Sequence, residues 1–113
     1  MVSYPFGMNA DRATIDRLHL ALAHEYRRLV LAYFETSPTQ TASLTDLTAY
    51  VAARRSPSDA RPAAQIRTRL HHADLPKLDE AGLVEYDDRT ATVRHREQAP
   101  IDGWGEYVAE VLE

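Results

Sequence analysis

The sequence predicts a single α+β domain, mainly helical, in which four helical segments precede a β-hairpin and a last helix. Two observations carry this. Apolar residues recur at helical spacing up to about residue 82, and two short, nearly alternating runs then flank a polar turn. The length of 113 residues agrees, being enough for one core and short for two.

Each element has its own signal. Residues 1–12 read as a flexible arm, broken by Pro5, Gly7 and Asn9. Thr14 is a candidate N-cap for a first helix carrying Ile15, Leu18 and Leu22. Tyr26, Leu29, Val30, Tyr33 and Phe34 then form one full apolar stripe, with Arg27 and Arg28 off it, and Ser37-Pro38 ends the run. Thr39 to Ser43 reads as loop. Thr45 is expected to cap a third helix, Asp46 to about Arg54, with Leu47 and Val51 facing the core and Ser56-Pro57-Ser58 closing it.

The segment 59–82 is unbroken until Pro76. On a helical wheel Ala63, Ile66, Leu70, His71, Ala73, Leu75 and Leu78 share one wide arc. Arg61, Gln65, Thr68, Arg69 and His72 share the opposite one. Either this is one embedded helix, or two helices meet at a bend near 72–75, where Pro76 removes an amide donor. Gly82 is a natural residue to end it. Leu83–Asp87 and Ala91–Arg96 flank Asp88-Arg89-Thr90 as a hairpin. After Pro100, the residues Ile101, Trp104, Val108, Val111 and Leu112 form a last amphipathic helix. Three core helices followed by a two-stranded hairpin is the order of a winged helix-turn-helix domain, with the hairpin as its wing. The expected organisation is an arm at 1–12, the winged domain at 13–97 and a C-terminal helix at 98–113.

Two stretches carry a family likeness. Ala21-Leu-Ala-His-Glu-Tyr-Arg-Arg-Leu-Val-Leu-Ala-Tyr-Phe34 resembles the opening helix of winged-helix regulators of the arsenical-resistance-repressor type. Leu75-Pro-Lys-Leu-Asp-Glu-Ala-Gly-Leu-Val-Glu-Tyr-Asp87 resembles the end of their recognition helix running into the wing. A closer likeness is to short haloarchaeal winged-helix domains. It rests on Arg27-Arg28 and on Leu70-His-His-Ala-Asp-Leu-Pro-Lys-Leu78 with Gly82, Tyr86 and Asp87. The resemblance implies a sequence-specific DNA-binding regulator, usually a homodimer, in a salt-rich archaeal cytoplasm. One departure stands out: where such repressors offer Ser, Thr, Gln and Arg to the groove, the second half of this segment offers Ala73, Asp74 and Pro76, and an Asp on that face repels phosphate.

Other classes find little support. The chain has no cysteine, which excludes disulfides, thiolate metal sites and thiol redox chemistry. It has no nucleophile elbow, phosphate loop or paired-histidine zinc motif, so no enzyme and no catalytic residue are expected. Asp87-Asp88 sits at a hairpin turn, where carboxylates cap backbone amides. His71 and His72 are adjacent and point about 100° apart on a helix, poor geometry for sharing one metal. His71 reads as a packed, hydrogen-bonded core residue, and no metal or cofactor is expected. No apolar run approaches the roughly 20 residues of a membrane span, and the first residues lack the pattern of a signal peptide; a cytoplasmic location is what the resemblance implies.

Charge sharpens the expectation. The net charge is −4, and of 13 basic residues only Lys77 is lysine. From Arg54 to Lys77 stand six basic residues against Asp59 and Asp74, while the rest of the chain is strongly acidic. Such polarisation is the footprint of a reader of duplex DNA. Gln65, Thr68, Arg69 and His72 are the candidate base readers. Arg54, Arg55, Arg61, Lys77, Arg89, Arg94 and Arg96 are the candidate phosphate contacts. Glu85, Asp87, Asp88 and Glu97 oppose the hairpin arginines, so cross-strand ion pairs are the other reading of the wing. Ile101, Trp104, Val108, Val111 and Leu112, helped by 14–22, are the candidate homodimer contacts; packing within the chain is the alternative. The competing functions are a winged-helix protein–protein interaction module without DNA reading, or a ligand- or metal-sensing regulator.

Overall fold

The computed structural model describes residues 12–96. Helices α1 (Arg12–Ala21), α2 (Glu25–Thr36) and α3 (Leu44–Arg54) come first, with strand β1 (Thr41–Ser43) between α2 and α3. Helix α4 (Ala63–Arg69) passes through a π-turn (Leu70–Asp74) directly into α5 (Leu75–Glu80). Strands β2 (Val84–Asp87) and β3 (Thr92–His95) form the hairpin. The fold is α+β and mainly helical, and its arrangement is compatible with a winged helix. The expected arm at 1–12, apart from Arg12, and the C-terminal helix at 98–113 lie outside the described residues.

The helices follow the sequence closely, with corrections at their ends. Helix α1 already includes Arg12, so Thr14 lies inside it and is not its cap. Helix α2 is capped by His24, whose Nδ1 accepts the Tyr26 amide at 3.1 Å. Helix α3 starts at Leu44, and its cap is Ser43, whose hydroxyl accepts the Asp46 amide at 3.0 Å; Thr45 already belongs to the helix. Gly82 ends α5 as expected. It adopts φ +79°, its amide donates to the Asp79 carbonyl, and the Leu83 amide reaches the Leu78 carbonyl. That pair of bonds is a Schellman closure, which requires a left-handed residue where glycine sits.

Two expectations change. Thr41–Ser43 is a strand rather than loop, so the sheet has three strands and not two, in the order β1-β3-β2, all antiparallel. Ala42 lies opposite Val93, and Tyr86 faces Val93 from the other side. The hairpin is thereby sewn to the helical layer: the Leu44 amide donates to the Ala91 carbonyl at 2.8 Å and the His95 amide to the Gln40 carbonyl at 2.7 Å.

The segment 59–82 holds two α-helices, the second of the expected alternatives, and they join through a π-turn. The first begins at Ala63, and residues 70–74 form the π-turn. The apolar spacing explains it. Ile66, Leu70, Leu75 and Leu78 are all fully buried, and the step from Leu70 to Leu75 is five residues. In an α-helix five residues turn the chain well past one revolution; one wide turn brings Leu75 back over Leu70. The Leu75 amide closes that turn on the Leu70 carbonyl. Pro76, next in line, has no amide to return to the preceding turn. The core around these leucines takes Leu18, Tyr26, Val30, Leu47, Val51, Val84 and Val93, all without exposed surface.

Candidate nucleic-acid interface

The outer face of α4 and the π-turn after it present three of the four residues expected to read bases. Gln65, Thr68 and His72 are exposed. The Thr68 hydroxyl donates to the Ala64 carbonyl at 3.0 Å, which leaves its oxygen free to accept. At one edge of this face Arg67 crosses to α3 and donates to the Thr45 hydroxyl at 2.9 Å. At the same edge His71 Nδ1 meets the Tyr86 hydroxyl at 2.5 Å, the packed and hydrogen-bonded role expected of it. Burial, followed by the charge of Asp88, raises the Tyr86 phenol above its ordinary value, so it keeps its proton for this contact. A groove of about 270 Å³ runs between α4 and the hairpin, lined by Arg67, Thr68, His72, Tyr86 and Asp88 among others.

Arg69, the fourth expected base reader, sits elsewhere. It lies at the opposite edge of α4, toward α2, with its Nε 3.3 Å from Asp74 Oδ2. Asp74 itself is fully buried, not presented to the groove as its sequence position suggested. Arg27 Nε donates to its other oxygen at 3.0 Å. The wide turn is what rotates this carboxylate inward. So the acid that was expected to repel phosphate does not reach the surface, and the arginine expected on a base edge is drawn toward α2.

The candidate phosphate contacts divide the same way. Arg54 lies over the Tyr50 ring, 3.9 Å from its centroid. Arg55 and Arg61 each stand 3.9 Å from Asp59, and Arg55 also donates to the Arg61 carbonyl. Asp59 in turn accepts from the Tyr26 hydroxyl and, at 3.0 Å, from the Arg61 amide, and these two bonds hold its carboxyl below the usual carboxylate range. On the hairpin Arg89 stands 3.7 Å from Asp87, and Arg94 pairs with Glu85 across the strands. The Arg94 pair is the expected cross-strand one, whereas Arg89 meets Asp87 at the turn. Lys77 and Arg96 are exposed. The candidate dimer contacts Ile101, Trp104, Val108, Val111 and Leu112 lie outside the described residues.

The sequence reading missed the junction of α2 with α4: His24, Tyr26, Arg27, Asp59 and Asp74. Its signal was present in the five-residue step from Leu70 to Leu75, which turns residue 74 toward the core. Among the described residues no group of three or more His, Asp or Glu side chains converges as a metal site, and no helix is long and apolar enough to cross a membrane.

A family model described as "Domain of unknown function (DUF7344)" matches residues 19–94, well over half of the chain. The chain belongs to this family. The DUF7344 match runs from the end of α1 to the penultimate residue of β3, so both edges of α4, the π-turn and the hairpin lie within it. No curated protein and no solved structure matches the chain.

Proposed function

We propose that this DUF7344 domain is a winged helix-turn-helix reader of double-stranded DNA that acts as a homodimeric transcriptional regulator. The observation that carries the proposal is the exposed row Gln65 and Thr68 on α4 and His72 on the π-turn, set beside a hairpin whose sheet closes in the order β1-β3-β2. In this reading α3 and α4 are the helix-turn-helix, α4 enters the major groove and the β2–β3 turn lies along the neighbouring backbone. Gln65 offers the paired donor and acceptor that match adenine, and Thr68 and His72 add single contacts. Lys77, Arg96 and the arginines around Asp59 meet phosphates. Two copies, joined through Ile101, Trp104, Val108, Val111 and Leu112, would present two such helices to a pseudo-palindrome.

Selection of bound fragments from random duplex DNA across a salt series tests this. Enrichment of a repeated half-site supports the regulator; no enrichment from a folded protein at any salt overturns it. Gln65→Ala should then cost about 1–3 kcal/mol and relax one base position. Sedimentation of wild type and Trp104→Ala tests the dimer, which a monomeric wild type would end. A second reading, a protein-interaction module, is favoured by one observation: Arg89 and Arg94 already have carboxylate partners. A folded dimer that enriches no DNA would point there.

A further inference from the structure

Charge does not balance at the α2–α4 junction. Asp74 is a single buried carboxylate facing two guanidinium groups, Arg27 at 3.0 Å and Arg69 at 3.3 Å. Arg27 is engaged at two nitrogens: its Nη1 also donates to the Leu20 carbonyl at 2.6 Å, and its side chain is 12% exposed. Arg69 is engaged on one edge only. Its Nε and the facing Asp74 Oδ2 are buried and in ion-pair contact without a hydrogen bond, its amino nitrogens have no protein partner among the described residues, and its side chain is 31% exposed. Arg61 approaches the same aromatic ring, Tyr26, as Arg69 does. Its guanidinium lies 5.3 Å from the centroid of the Tyr26 ring, and that of Arg69 lies 6.0 Å from it.

Two further features point outward from this pair. A cavity of about 590 Å³ is lined by His24, Arg61 and Gln65, with Arg69 outside its lining. Glu25 and Asp59 line it too, but both carboxylates are held. Glu25 accepts the Ser56 amide at 3.0 Å and its hydroxyl at 2.7 Å, and Asp59 accepts from Tyr26 and Arg61. His24 lies edge-on to Tyr26 at 4.9 Å. Burial first, then Arg69, and further Arg27 and Arg61, disfavour its protonation by more than Asp74 restores. Its Nδ1 accepts the Tyr26 amide, so the neutral ring carries its proton on Nε2 as a donor.

We infer that the α2–α4 junction is a binding site for a phosphate-class oxyanion, with Arg69 and Arg61 as its ligands and Asp74 as the positioning residue that fixes Arg69. A guanidinium whose Nε is turned to a buried carboxylate keeps its two amino nitrogens for a ligand, a fork that matches two oxygens of a phosphate in a way an ammonium cannot. The surplus positive charge left by two arginines on one carboxylate is answered by the bound anion. Where that anion is a DNA backbone phosphate, the inference rests on the proposed function; where it is a free phosphate, it does not.

The test reads the His24 imidazole by NMR during titration with inorganic phosphate at low, constant ionic strength, and separately with duplex DNA. An anion beside Arg69 should move the His24 pKa back up toward its ordinary value, with chloride as control producing no such change. Arg69→Gln should abolish the response. Arg69→Lys, which keeps the charge and the partner for Asp74, should bind several-fold more weakly. With DNA, Arg69→Gln should also reduce the salt slope of binding by about one. A response to phosphate without DNA binding supports the site and overturns the DNA reader. DNA binding with an unmoved His24 and an unchanged slope overturns the site and leaves the reader standing. A response to neither anion overturns the inference.

Discussion

Arginine meets carboxylate both at the α2–α4 junction and on the hairpin, under opposite conditions. Asp74 has no exposed surface, and Arg27 is nearly covered. Glu85 and Arg94 are 43% and 64% exposed, and Asp87 and Arg89 are also open to water. In the first place the charges are out of water, so each depends on its partners; in the second, water already solvates them and the pairing changes little. The contrast separates two jobs that share residue types. The junction fixes where α4 sits against α2, whereas the hairpin pairs tune how much positive charge the surface shows.

The largest effect should follow from breaking the buried cluster. Asp74→Ala removes the carboxylate that two guanidinium groups share and should destabilise the domain by about 3–5 kcal/mol, measured by urea unfolding. The companion variant replaces Arg27, Arg69 and Asp74 together by Met, Leu and Leu. It should come within a few kcal/mol of wild type, because apolar packing can substitute for a buried ion cluster once no charge is stranded. A single variant as mild as the triple one would place the cluster in the same class as the hairpin pairs and erase the comparison.

Much of the fold was legible in the sequence because period alone determines it. The stripe from Tyr26 to Phe34, the hairpin runs and the glycine at the end of α5 each follow from local rules. Strand β1 was not legible: Thr41-Ala-Ser43 is three residues long and has no pattern until Val93 and Arg94 of β3 stand opposite it. The π-turn was legible in principle, from the spacing of Leu70 and Leu75. A wheel drawn at a fixed 100° conceals it, since the wheel assumes the period that the turn breaks. The candidate site divides likewise. Gln65, Thr68 and His72 point outward as periodicity requires, but the fate of Arg69 depends on Asp74 and Arg27, which only the tertiary fold brings together.

Gly82 tests the joint between the two regions. Its φ of +79° suits glycine, and a methyl group built there would meet nothing within 4 Å. Gly82→Ala should therefore lose about 1–2 kcal/mol through backbone strain alone, with no packing change. Gly82→Asn, which tolerates this conformation better, should recover part of it. Equal losses in the two variants would refute strain as the cause.

Acid should act in steps of smaller size. Burial and neighbouring arginines hold the His24 pKa down, so its contribution is full above the ordinary histidine value and falls away as pH drops toward the lower folded one. Asp59 and Glu25, held down chiefly by Tyr26 and by the Ser56 amide, contribute above the ordinary carboxylate value and lose that as pH falls through their folded values. Tyr26→Phe removes the bond that holds Asp59 lowest. Unfolding free energies measured across the acid range should lose part of the lower step and keep the His24 step. Curves for the two proteins that stay parallel would show that Asp59 does not report this bond.

The hairpin pair should give the smallest change in stability and the clearest one in charge. A double-mutant cycle on Glu85 and Arg94 should return a coupling below about 1 kcal/mol that shrinks further with added salt. Its consequence lies in binding. Glu85→Gln keeps the shape of the side chain and releases Arg94 from its partner, so the hairpin surface gains one unpaired positive charge. If the hairpin lies along a DNA backbone, this variant should bind duplex DNA more tightly at low salt, with a steeper salt dependence. If affinity and slope stay as in wild type, Arg94 does not face phosphate, and the hairpin carboxylates are ordinary surface partners rather than a brake on DNA binding.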